Sequence, residues 1–229
     1  MALSHIEPVS LLPQRVADHL REAIIRGQFK PGDRLKEVEI ATQLGVSTIP
    51  VREAFAQLER EGLITAHPRR GKAVRQLNAQ DLRDLCRLRA VLEAEAYAMI
   101  HKGGGLGQTA RAELAGNLAE EGRAIRAGDL PRAVELDLAF HDAIYREAGS
   151  ELLLEMWRIL RARVNMVLVW RWHIEASPKV TNALTDHARI LEALCGDDLA
   201  ALQELAEQVN QRVSDQLVSG LSESTMIAR

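Results

Sequence analysis

The sequence predicts a mainly α chain in two parts, an N-terminal winged helix-turn-helix followed by an all-α helical-bundle ligand domain. Three observations predict it. Residues 37–62, EVEIATQLGVSTIPVREAFAQLEREG, read as two helices joined by a tight Gly-Val-Ser turn. Residues 63–76, LITAHPRRGKAVRQ, read as two short strands, 63–66 and 73–76, around a cationic turn. From Asp81 onward, apolar residues recur only at helical spacing.

The elements follow in order. Residues 9–26 carry an apolar stripe at Val16, Leu20, Ala23 and Ile24, so a first helix is expected there, stopped by Gly27. Pro31-Gly32-Asp33 forms the next turn. Ile40, Leu44 and Val46 belong to the second helix and its turn, and Val51, Phe55 and Leu58 to the third. Gly45 supplies the left-handed backbone that ends a helix, Ser47 stands at the N-cap of the next, and Pro50 falls in its first turn, where a missing N–H costs little. Any pair of amphipathic helices around a glycine turn could look like this. Arg52 on the second helix, followed by a hairpin with Arg69, Arg70 and Lys72 at its tip, favours a DNA-reading head whose wing meets phosphates or the minor groove. A solvated basic turn is the plainer alternative.

Charge divides the chain the same way. Residues 1–76 hold 12 Lys+Arg against 9 Asp+Glu, and the remaining 153 hold 17 against 23. A basic head on an acidic body fits contact with DNA through one domain only. With 229 residues and 47% hydrophobic content, the chain has length for two cores. No apolar run is long enough for a bilayer and no signal-peptide core is visible, so a cytoplasmic protein is expected, with no membrane partner. Cys86 and Cys195 lack metal spacing and are expected to be reduced.

In the body, helical stripes run through Leu82, Leu85, Leu92 and Ala96, through Val134, Leu138 and Ile144, through Leu184, Leu191 and Leu194, and through Leu202, Leu205, Val209, Val213 and Leu217. Breaks at 102–107, 128–131, 148–150, 177–178 and 195–197 delimit about six helices, by the usual turn composition. The domains expected are 1–76, a linker at 77–80 with Asn78 placed as a cap, and 81–229. Asp137 and His141 stand at i and i+4, on a face continued by Ala133, Ile144 and Ala148, and His187 falls between Leu184 and Leu191. Three inward polar groups are costly unless they satisfy one another or bind something. One carboxylate with two imidazoles suits Zn, Ni, Mn or Fe. Taken singly, each has a duller account as a hydrogen-bonded core residue. Arg89 sits beside the stripe of its helix, where its fork could take a carboxylate or pair with Glu93. Trp170 and Trp172, in VLVWRWH, could wall a pocket, or serve a core or an interface.

The run PGDRLKEVEIATQLGVSTIPVREAFAQLEREGL followed by RRGKAV resembles the winged helix of GntR-type bacterial transcription regulators. The resemblance implies DNA contacts for Arg34 at the start of the second helix, for Ser47 and Arg52 on the recognition helix, and for Gly71 at the wing tip. Thr48 and Ile49 depart from the family's Arg-Thr. Threonine cannot reproduce a bidentate guanine contact, and Ile49 offers a methyl surface suited to thymine, so an operator without the usual guanine there is expected.

Residues 80–218 resemble the FCD ligand-binding domain of the family's FadR branch. The pattern is carried by Arg89 and Glu93, by Asp137-Leu-Ala-Phe-His141, and by His187 before Gly196-Asp197. The resemblance implies a homodimer on a pseudo-palindromic double-stranded operator, gated by an effector in the body; Arg89 and a metal would both favour an anionic one, such as a small organic acid. Metal-binding members carry a further histidine where Val209 stands. That leaves either a weaker metal site completed by water or a pocket that uses its polar groups directly on ligand, with Asn210, Arg89 and Glu93 as candidate effector contacts. A metal-dependent hydrolase-like enzyme using Asp137, His141 and His187, or an effector-independent DNA-binding dimer, are the competing readings.

Overall fold

The computed structural model describes the backbone of residues 11–67, 71–174 and 181–227, and the side chains of all but 67, 130, 170–174, 181 and 222–227 among them. The chain divides into two compact units, Met1–Gln76 and Leu77–Arg229.

In the first unit, α1 (Leu12–Ile25) buries Val16, Leu20 and Ile24 on one stripe. The expected start of this helix at residues 9–10 lies outside the described residues. β1 (Arg34–Leu35), α2 (Glu37–Leu44), α3 (Thr48–Arg60), β2 (Ile64–His67) and β3 (Gly71–Val74) follow. α3 packs on both α1 and α2, and places Val51, Phe55 and Leu58 in the core at 1% exposure or less. Burial of each such side chain contributes about 1.5–3 kcal/mol. Gly45 closes α2 at φ 66°, a left-handed conformation that favours glycine. Ser47 occupies the N-cap position of α3 with extended backbone, yet its side chain makes no capping hydrogen bond.

The sheet is antiparallel in the order β1-β3-β2. Its register corrects two expectations. Arg34 is not at a helix start; it lies in β1 opposite Ala73, two residues ahead of Lys36, the N-cap of α2. The second wing strand runs earlier than 73–76, because β3 is drawn into pairing with β1, and Arg75 turns back to bond the Leu63 carbonyl at 2.8 Å. A strand of two residues is too short to show alternation.

In the second unit, Asn78 caps α4 (Ala79–Lys102) through a reciprocal box. Its Oδ1 accepts from the backbone N–H of Gln80 at 2.8 Å and of Asp81 at 3.0 Å, and Asp81 Oδ2 accepts from the Asn78 N–H at 2.9 Å. Two of the four residues expected as linker, Ala79 and Gln80, are therefore helical. α5 (Gln108–Ala127), α6 (Leu130–Glu147), α7 (Glu151–Ile174), α8 (Thr181–Leu194) and α9 (Leu199–Ile227) complete the bundle. The breaks at 102–107, 148–150 and 195–197 fall between helices, that at 128–131 spans the α5–α6 turn, and 177–178 lies outside the described residues. α4 packs along α9, α5 on α6, and α6 on α7. One core runs through Tyr97, Phe140, Tyr145 and Trp157. Trp157 stacks on Tyr145 and donates its indole N–H to Asp142 at 2.7 Å. Among the described residues no helix is long and apolar enough to cross a membrane, Cys86 is buried and Cys195 exposed, and neither is in a disulfide.

Candidate functional site

On the first unit, α3 presents Ser47, Ile49 and Arg52 outward and leaves Thr48 half-buried, while Pro50 and Val51 turn to the core. Ile49 is 65% exposed, a large apolar surface on a helix start. The Arg52 guanidinium reaches back to α2, where Nε and Nη2 donate to Glu37 Oε2 at 3.1 and 2.9 Å. The wing strands bring Arg34 over Gly71: a Cβ there would sit 3.9 Å from Arg34 Nη2, and φ of 75° would strain any other residue. Arg34, Lys36, Glu37, Gly71 and Lys72 line one groove. Lys72 pairs with Glu59 of α3, which ties the wing to the helix. Arg69 and Arg70 lie outside the described residues.

On the second unit, the inward polar residues converge. Asp137, His141 and His187 are all buried, and their ligand atoms lie within 4.8 Å of one another. They line a cavity of about 50 Å3 together with Arg89, Glu121 and Asp186. That volume holds a few waters or the head of a small acid. Val209 also lines it, offering only methyl groups. Phe140 stacks on the His187 ring at 4.4 Å between centroids.

The two histidines are held differently. His187 Nδ1 bonds Glu121 Oε2 at 2.9 Å, which leaves Nε2 facing Asp137 Oδ1 at 3.6 Å. His141 Nε2 is in hydrogen-bond contact with Arg89 Nη2, and its Nδ1 lies 3.0 Å from Glu93 Oε1. Arg89 Nε also donates to Glu93 Oε1 at 2.8 Å, and Asn210 Nδ2 donates to Glu93 Oε2 at 2.6 Å. Glu93 and Asn210 are absent from the cavity lining. Glu93 holds Arg89 and stands beside His141 Nδ1, and Asn210 holds Glu93 in turn. The backbone of Trp170 and Trp172 continues α7, but their side chains lie outside the described residues.

Electrostatics follow from these contacts. Burial opposes a charged Glu93, yet Arg89 and His141 hold its carboxyl well below the usual carboxylate range. Burial, with Arg89 beside it, pushes His141 below an ordinary imidazole. Burial would lower His187 as well, but the Glu121 bond and the charges of Asp137 and Glu121 carry it up. Burial raises the Glu121 carboxyl in turn. Asp137 Oδ2 is buried without a hydrogen-bond partner. An orphaned carboxylate oxygen beside two imidazoles is a donor set that fits a divalent cation, while the Arg89 fork fits a carboxylate.

Sequence reasoning missed Glu121 and Asp186. Glu121 continues the α5 stripe of Leu114, Leu118 and Ile125 at helical spacing, a signal of the same kind that found His141. Asp186 is buried on α8 and pairs with Arg212 of α9. No pattern marked it, because its partner lies on another helix.

Comparison with known proteins supplies a context for both units. Residues 12–74 match the family described as bacterial regulatory proteins, gntR family, and residues 84–212 match the FCD domain. The chain is 28% identical over 216 residues to the HTH-type transcriptional repressor RspR of Escherichia coli (strain K12), covering 93% of this chain and 91% of that protein. It is 30% identical over 197 residues to the probable D-xylose utilization operon transcriptional repressor of Paenarthrobacter nicotinovorans, covering 84% and 81%. The solved structure of E. coli McbR/YncC superposes with a TM-score of 0.76 at 26% identity, covering 93% of this chain and 99% of that one.

Proposed function

Because the chain belongs to the gntR family of bacterial regulatory proteins, in the FCD-bearing FadR-like branch, it is a transcription regulator and not an enzyme, and we propose that a small organic acid bound in the body controls its operator affinity. The observation that carries the proposal is one buried cavity lined by the Arg89 guanidinium and by Asp137, His141 and His187. Arg89 would take the carboxylate. Asp137, His141 and His187 would hold a divalent ion, with the family's fourth position filled by Val209, and when bound it would supply a second positive charge toward the acid. An effector-independent dimer would have no use for such a buried polar cluster, whose desolvation is costly.

At the other end, Ser47, Ile49 and Arg52 of α3 would enter the major groove, and Arg34, Gly71 and Lys72, with Arg69 and Arg70, would meet the backbone. Thr48 and Ile49 favour an operator that lacks a guanine at the position opposite Thr48. Selection of bound duplexes from a random pool tests this, and recovery of guanine there would refute it. Homodimerisation on a pseudo-palindrome is supported by exposed apolar residues on the body, Leu88 and Val91 of α4 and Leu152, Met156 and Ile159 of α7. Light scattering at twice the chain mass is the expected result. A cytoplasmic location goes with this role.

The central test is a thermal-shift screen of small acids, with and without Zn, Ni, Mn or Fe, followed by operator binding with each acid that shifts the transition. A ligand at a hundred times its Kd stabilises the folded state by about 2.7 kcal/mol. Coupling between acid and operator of about 5- to 150-fold is the range expected. If no acid moves either the transition or the operator affinity, effector control is refuted.

A further inference from the structure

The two imidazoles of the cavity are not equivalent as ligands. His187 is oriented by Glu121 with Nε2 turned to Asp137. A carboxylate on one ring nitrogen fixes the other for ligation. At His141 the contact with Arg89 decides the matter. A guanidinium carries N–H donors and no acceptor, so His141 Nε2, in contact with Arg89 Nη2, must accept. The ring proton then sits on Nδ1, which lies 3.0 Å from Glu93 Oε1 without an aligned hydrogen bond to it. A neutral imidazole has a single in-plane lone pair, and ligation needs it. At His141 that lone pair is occupied by Arg89.

We propose that Arg89 is a tethered occupant of the His141 lone pair, so that the Arg89–His141 contact and metal ligation by His141 exclude one another. Metal loading then turns the Arg89 fork into the cavity. The inference rests on reading Asp137, His141 and His187 as a cation site. The anchoring of Arg89 suits an exchange of this kind. Its Nε is held by Glu93 Oε1 at 2.8 Å, and Glu93 is itself pinned through Oε2 by Asn210 at 2.6 Å. The guanidinium can therefore pivot about Nε while Nη2 leaves His141. Arg89 already lines the cavity, so the withdrawn fork presents its donors where a carboxylate would enter. The residue that receives the acid would in this way also report whether a metal is present.

The test is calorimetric titration of chelator-stripped full-length protein with zinc chloride, wild type against Arg89→Met, with His187→Ala as the control that locates the site. Losing one charge-assisted hydrogen bond competitor should tighten zinc binding in Arg89→Met by about 10- to 100-fold. Equal affinity in the two proteins overturns the proposal and leaves the cation site standing. Zinc binding by neither protein overturns both. Nitrogen NMR of the wild type supplies a measurement independent of how the variant folds. Metal-free protein should show His141 as the Nδ1–H tautomer, with an Arg89 guanidinium signal coupled to it, and saturating zinc should abolish that coupling. A coupling that survives zinc saturation refutes the exchange.

Discussion

Arg52 offers the sharpest test of the DNA-reading head, because the structure shows the ion pair it would give up to reach a base. Its guanidinium rests on Glu37 Oε2 through Nε at 3.1 Å and Nη2 at 2.9 Å, with the arginine side chain 69% exposed. An ion pair this exposed is screened and holds the guanidinium weakly, so giving it up should cost operator affinity less than about fivefold. A bidentate contact to a base edge in the groove discriminates by about 10- to 100-fold. A base contact by Arg52 would therefore outweigh the pair with Glu37. Arg52→Ala should weaken binding to a selected duplex by about 10- to 100-fold per half-site, with binding to random duplex almost unchanged. Glu37→Gln should leave α2 intact and tighten binding slightly, most visibly at low salt. Fluorescence anisotropy against selected and random duplexes, at two salt concentrations, measures both variants. If Arg52→Ala keeps full affinity for the selected duplex, Arg52 does not read the operator and the orientation of α3 argued above fails.

Other consequences concern the body. Glu121→Ala removes the acceptor that raises His187, so His187 should titrate at lower pH by NMR, and Glu121→Gln should restore orientation in part; an unmoved titration would refute the role of Glu121. Since the folded His187 value is raised, the stability it contributes is fully present below the ordinary 6.5 and fades as pH rises through the folded value, so the cost of Glu121→Ala in denaturant melts should shrink with rising pH. Glu93 runs the other way: its depressed carboxyl contributes stability above the ordinary 4.5 that is lost as pH falls, so the gap between wild type and Glu93→Gln should narrow in acid, and a constant gap would contradict the Arg89–Glu93 pairing. Val209→His places an imidazole on the cavity wall; it should lower the melting temperature without metal and enlarge the stabilisation by zinc, as calorimetry would show, and an unchanged zinc response would argue against a cation site there.

The positions of the helices and the inward direction of their polar residues were legible because both follow from a local period. Asp137 and His141 share a face by their four-residue spacing alone, and Asn78 declares its cap by the aspartate three residues on. β1 was not legible, since two residues carry no period, and Arg34 was misplaced with it. Glu121 could have been found from the α5 stripe, but nothing local says which histidine it holds.

The sequence by itself determined the two-part architecture, the family and the residues that turn inward, because helical periodicity, turn chemistry and a contiguous motif are properties of neighbouring residues. Only the tertiary structure decided how those residues pair. It drew Glu93 and Asn210, 117 positions apart, into one hydrogen bond. It set Glu121 on His187 across 66 positions, and Arg89 on the ring nitrogen of His141 across 52. Partner and orientation at a buried site depend on which helix faces which and on the need to satisfy each polar atom taken from water. Those demands are met across the bundle, and no stretch of sequence contains both sides of them.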